Sequence, residues 1–189
     1  DIADKIVHTG DTNTAIRFPA ADTITVETGG SERARITSIG LVGIGTDNPT
    51  SHANTNALQI HDDYNGAGVP RIRLTNITTG TSSADGFELS LDGTNQHGVI
   101  RQRENADILF YTNSSERLRI DSSGRLLVGV TAARTMLSGY IPSLQVEGTA
   151  NSDSSISIVE NISASSGPSI WFGKTRGSSL GDNTVVQSG

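Results

Sequence analysis

The residues of this 189-residue chain that could do chemistry are few and dispersed. The segment HDDYNGAG carries His61, Asp62, Asp63, Asn65 and Gly66, an oxygen-rich set resembling part of a calcium loop. It lacks the spaced carboxylates and the closing bidentate Glu that such a loop requires. Asp62, Asp63, Glu88, Asp92 and Glu104 could supply the two carboxylates that glycoside hydrolysis needs about 5 to 9.5 Å apart, but nothing in their spacing prefers any two. The histidines, His8, His52, His61 and His97, form no i, i+2 or i, i+4 pair, and the chain has no cysteine, so thiolate sites are excluded. The Gly-rich GLVGIG at 40–45 lacks the Lys and the following helix of a phosphate loop. The sequence therefore points to no catalytic, cofactor or metal site, and a protein that is not an enzyme is the expectation.

The composition agrees. Ser 23, Thr 21, Gly 21 and Asn 12 make 77 residues, whereas Leu 12, Ile 18, Val 11 and Phe 4 make 45. That apolar share lies just above the level of about 20% below which chains stay disordered, so any core is thin. The net charge of −6, from 14 basic and 20 acidic residues, leaves no basic footprint for nucleic acid. No run approaches the 18 or so apolar residues of a membrane helix, so membrane insertion is not expected. The opening DIADKIVHTG has neither the charge pattern of a signal peptide nor an initiator Met, and a piece of a longer chain is expected.

The strongest pattern is an internal repeat. Residues 31–45, SERARITSIGLVGIG, and residues 115–129, SERLRIDSSGRLLVG, agree at eight of fifteen positions with a constant offset of 84. The matches include Glu32/Glu116, Arg33/Arg117, Arg35/Arg119, Ile36/Ile120 and Gly45/Gly129. Likeness continues upstream at Ile24/Ile108 and Thr28/Thr112, and downstream where ALQI at 57 matches SLQV at 143. The pattern predicts three divisions: residues 1–21 as the end of a preceding module, 22–105 as module 1, and 106–189 as module 2, cut from a longer array.

Each copy alternates apolar with polar residues in short segments: 22–27, 33–37, 71–77, 87–92, 107–112, 117–121, 125–130 and 155–162. Turn formers separate them at intervals of about 8 to 12 residues, which predicts an all-β chain. A module of 84 residues is longer than one solenoid coil, since coils run about 20 to 50 residues. It fits strand bundles and loop-rich knobs stacked along a rod, and strands from three chains around one axis would turn a thin apolar stripe into a continuous core.

The Ser-Glu-Arg-x-Arg-Ile phrase has its own physical expectation. In a strand Arg33 and Arg35 share one face, and Glu32, Ala34 and Ile36 share the other; Arg117 and Arg119 stand likewise against Glu116, Leu118 and Ile120. A Glu on an apolar face is costly to bury unpaired. Glu32 and Glu116 are therefore expected at the strand entrance, within reach of an arginine of the same or a neighbouring chain. An interchain contact setting trimer register is one reading, and a surface pair worth about 0 to 1 kcal/mol is the other.

The phrases SERLRIDSSGRLLVG, LVGIGTDNPTS at 41–51 and GKTRGSSLGDNTVVQSG at 173–189 resemble the repeated modules of tail-fibre proteins from marine and cyanobacterial tailed bacteriophages. The shared pattern is a GIGT turn, here Gly43 to Thr46, then a loop with Asn48 and Pro49, then an L-x-I strand, here Leu58, Gln59 and Ile60. Copy two departs from it at Val130, Ala132 and Ala133, so a different turn is expected there. The resemblance implies an elongated homotrimeric fibre in the virion, extracellular, whose partners are its own copies, other tail proteins, and a host surface glycan or envelope protein. Polar loops at 47–56, 62–69, 80–86 and 174–183 are the expected contact regions. Two alternatives stand beside it: a tailspike that degrades polysaccharide, and a subunit of a bacterial surface filament.

Overall fold

The computed structural model describes residues 4–51, 56–63, 68–136, 139–150, 154–159, 174–175 and 185–186. Among these there is no helix, and the chain is all-β. It divides into two compact units, Asp1–Ile108 and Leu109–Gly189.

The first unit begins with six strands in chain order: β1 (Lys5–His8), β2 (Asp11–Arg17), β3 (Ile24–Thr28), β4 (Ser31–Ile36), β5 (Val42–Ile44) and β6 (Leu58–Ile60). All neighbours are antiparallel except β5 and β6, which are parallel. The β3–β4 hairpin turns on Gly29 and Gly30, both at positive φ. Two central residues at φ > 0 make the tight turn whose twist matches that of the strands.

Register sorts this sheet into two faces. One row reads Ile6, Ile16, Val26, Ala34, Ile44 and Ile60, and the row beyond it reads Ile24, Ile36, Val42 and Leu58. The opposite face carries Arg17, Thr25, Arg35, Gly43 and Gln59. The polar face is the covered one: Thr25 is 1% exposed, whereas Val26 is 43% and Leu58 58% exposed.

A second sheet in this unit is formed by β7 (Arg71–Leu74), β8 (Phe87–Leu91) and β9 (Gly98–Gln102), all antiparallel. Its pairing puts Ile72, Leu74, Phe87, Leu89 and Ile100 on one face, and Arg71, Arg73, Glu88, Ser90 and Arg101 on the other. Here too the apolar face is open, with Ile72, Leu74, Leu89 and Ile100 exposed.

The third sheet contains β10 (Ile108–Thr112), β11 (Ser115–Ile120), β12 (Leu126–Val128) and β13 (Leu144–Val146), again with a parallel last pair. Leu118 faces Val128 and Ile120 faces Leu126, as Ala34 faces Ile44 and Ile36 faces Val42, 84 residues earlier. A two-stranded ribbon joins β14 (Lys174–Thr175) to β15 (Val185–Val186).

The buried apolar core of the described residues consists of Ala15, Leu41 and Leu127. Two expectations about elements need correction. Residues 155–162 alternate like a strand, yet 155–159 are not in one, and 160–162 lie outside the described residues. Alternation specifies a face but supplies no neighbouring strand, and among the described residues no strand is paired with 155–159. The segments β1, β2, β5, β6, β9 and β13 are strands that alternation alone did not single out.

Candidate functional site

The repeated phrase is a folding device. In β4 Arg35 donates from Nε and Nη2 to Glu32, at 2.5 and 2.7 Å; in β11 Arg119 donates to Glu116 at 2.6 and 2.7 Å. Simple alternation places each Glu and its Arg on opposite faces. A bulge reverses this: Val26 pairs with Ala34 but Glu27 with Glu32, leaving Arg33 as the extra residue. Beyond a bulge the parity of side chains inverts, so Glu32 joins Arg35 on the covered face. Both strands show the same burial sequence. The expected arginine partner of Glu32 and of Glu116 is therefore on the same strand, and Arg35 and Arg119 are already engaged within the chain. The arginines between them behave alike too, Arg33 donating to Thr28 Oγ1 at 3.0 Å and Arg117 to Thr112 Oγ1 at 2.9 Å. The Arg119 hydrogen bonds, with help from its charge and from Tyr111, hold the Glu116 carboxyl below its ordinary pKa.

Gly45 and Gly129 end β5 and β12 in the left-handed region, each at φ 75°. Their amides donate to Arg33 O and Arg117 O at 3.0 and 3.1 Å. A Cβ on either glycine would collide with a carbonyl oxygen, that of His61 or of Glu147. Ile36 and Ile120 sit on the open apolar faces.

Two glutamines with no role foreseen complete the motif. Gln59 Oε1 accepts from Thr50 N at 2.8 Å, and Gln145 Oε1 accepts from Arg134 N at 2.9 Å. Each pins the loop after the glycine to the parallel strand. The matching ALQI and SLQV phrases carried this signal. The altered residues Val130, Ala132 and Ala133 thus leave the end of the copy-two loop fastened as in copy one.

Three of the candidate catalytic carboxylates hold local structure. Asp62 accepts from Val69 N, Glu104 from Gly86 N, and Asp92 from Thr94 N and Asn95 N. His97 Nδ1 lies 3.1 Å from Asp92. His61 and Asp63 line a surface hollow with Glu32 and Asp47. Among the described residues no group of three or more His, Asp or Glu is placed to hold a metal ion. Asn65, Gly66, His52 and most of 174–183 lie outside the described residues.

Glu88, one of the carboxylates the sequence offers for catalysis, has a setting that the sequence analysis does not foresee. It is fully buried at the centre of the β7–β8–β9 sheet, and four guanidinium groups converge on it. Arg101 and Arg103 stand 3.1 and 3.2 Å away, Arg71 and Arg73 3.5 and 3.6 Å away. Ser90 Oγ donates to it at 3.1 Å. Burial pushes the Glu88 carboxyl up, but the hydrogen bonds from Arg103 and Ser90 and the charges of Arg103 and Arg71 outweigh it, so the group stays ionised. The sequence signal was the pair of Arg-x-Arg spacings, 71/73 and 101/103, flanking an inward Glu.

No known protein family, no curated protein and no solved structure matches this chain.

Proposed function

We propose that this chain is a structural and adhesive segment of a trimeric bacteriophage tail fibre, assembled from tandem modules of about 84 residues, that attaches the virion to a host surface glycan. The observation that carries the reading is the inverted amphipathicity of the three sheets. Their charged faces carry the ion pairs made within the chain, while their apolar faces are open, and among the described residues the buried apolar core is three residues. Ordering a residue costs about 1 to 2 kcal/mol of backbone entropy, which so small a core cannot offset. Apolar surface of this extent marks an interaction site. Copies of the same chain are the occupants the repeat favours, because the same face recurs in each module and packs on its equivalents around an axis.

Light scattering on the purified chain tests the reading. A mass three times the 19.8 kDa chain is expected. A stable monomer overturns the proposal, and an open-ended series of masses replaces it with a surface filament. Release of reducing ends from capsular polysaccharide would replace it with a tailspike enzyme.

A further inference from the structure

We propose that the arginine cluster around Glu88 is an anion-binding site that takes the carboxylate or sulfate groups of an acidic polysaccharide. The inference deepens the attachment reading above and rests on it for the class of ligand. Four guanidinium groups surround one carboxylate, which leaves three positive charges uncompensated on one sheet face of a chain whose net charge is −6. Each guanidinium offers about five N–H donors, and a carboxylate accepts about four hydrogen bonds, so donors outnumber what Glu88 can accept. Other contacts use few of them: Arg71 Nε donates to Val69 O and Arg73 Nη1 to Ser82 O. Among the described residues, Nε of Arg73 and Nε of Arg103 are buried and have no hydrogen-bond partner.

The division of exposure suits a receptor. Arg73 and Arg103 are the more covered pair, with side chains 24% and 20% exposed, while Arg71 and Arg101 are open at 38% and 43%. Glu88 accepts from Arg71, Arg101 and Arg103, and Arg71 and Arg101 are the two of these that also reach solvent. Planar forks of this kind recognise carboxylate and sulfate oxygens in pairs. The site faces away from the apolar side of its own sheet, so assembly through the apolar faces leaves it accessible. The 80–86 loop, expected from sequence to contact a receptor, reaches this cluster through the Ser82 carbonyl. One such site is weak; one per chain in a multimer gains by valency.

The test is titration calorimetry of the full chain with dextran sulfate oligosaccharides, oligogalacturonate and neutral dextran at two salt concentrations. Expected is binding to one or both anionic probes, weakened by salt, with neutral dextran inert; which anion binds identifies the group recognised. The double variant Arg71→Gln/Arg101→Gln is expected to lose at least tenfold in affinity. Arg134→Gln, at an exposed arginine that makes no contact with Glu88, is expected to bind as the parent does. Absence of binding to either anion, equal binding of neutral dextran, or equal loss in the Arg134 variant overturns the proposal. Light scattering on the same samples separates the two readings, because a parent that binds anions as a monomer keeps this site and removes the trimer.

Discussion

The β3–β6 sheet and the β10–β13 sheet share a plan but differ in how they fill it. Both keep the Glu–Arg clamp, the left-handed glycine and the Gln-pinned loop. They differ beneath the loop. In the first sheet Pro49 lies over Gly43, and a Cβ there would meet Thr46 O at 2.8 Å and Pro49 Cγ at 3.2 Å. In the second, the equivalent residues are Ala133 and Leu127, and Leu127 is fully buried. Volume has moved from loop to strand. Hydrogen bonds fix the plan of the two sheets, while packing within them tolerates exchange at nearly constant volume.

Breaking the shared part has the largest expected effect. Gly45→Ala and Gly129→Ala are each expected to cost about 3 kcal/mol or more, because left-handed backbone costs a non-glycine residue about 1 to 2 kcal/mol and a carbonyl must also move aside. Urea unfolding of the two variants measures this, and a cost below 1 kcal/mol at either site would separate the copies.

The exchanged part sharpens the contrast. Leu127→Ala is expected to cost about 2 to 5 kcal/mol through the cavity it leaves. Gly43→Leu is expected to cost about 1 to 3 kcal/mol by overpacking, and the share of that loss owed to the Pro49 ring returns when Pro49→Ala is added, while the contact with the Thr46 carbonyl stays. A double-mutant cycle gives the coupling. Strict additivity would show that the volume exchange is coincidental.

Acid tests the ionic part. The folded-state carboxyls of Glu116 and Asp121 lie below their ordinary values, the first through Arg119 and the second chiefly through the Arg125 amide. The unfolded chain then binds more protons, so their stabilisation is present above the unfolded values of about 4 and fades as pH falls through the lower folded ones. Urea midpoints measured from pH 6 to 2.5 are expected to fall on that acid limb. The limb is expected to be shallower in Glu116→Gln.

The smallest effect is in the hairpins. The β3–β4 turn is Gly29-Gly30, whereas the β10–β11 turn is Asn113-Ser114, with φ 49° and 57°. Asn tolerates this region and Ser does so less readily. Ser114→Gly is expected to stabilise by about 0.5 to 1 kcal/mol, and thermal melting detects it. No comparable gain is available in the first copy.

Sequence made the all-β class legible, since β3, β4, β7, β8, β10 and β11 all carry period-two alternation. It did not reveal β1, β5 or β9, which are short or polar and exist because a neighbouring strand completes their hydrogen bonds. The Glu32–Arg35 clamp was half legible: an arginine partner followed from the cost of burying Glu, but the bulge that chooses Arg35 leaves no mark in alternation. Glu88 reads in sequence as one scattered carboxylate because Arg71 and Arg73 come from β7, Arg101 from β9 and Arg103 from just beyond it, and pairing across strands is not written in local pattern. The outward apolar rows were legible as rows and not as outward. Which face is covered depends on the Pro49 loop and the ion pairs that settle on the polar side.

The open apolar rows have a kinetic consequence. If those rows close only against other copies, folding is completed by collision, and refolding slows as the chain is diluted. Dissociation would then require many rows to part together, so the assembled object persists at concentrations where it would not re-form. Durability of that kind is a rate, set by how the object comes apart, and equilibrium stability measured on dilute chains would understate it.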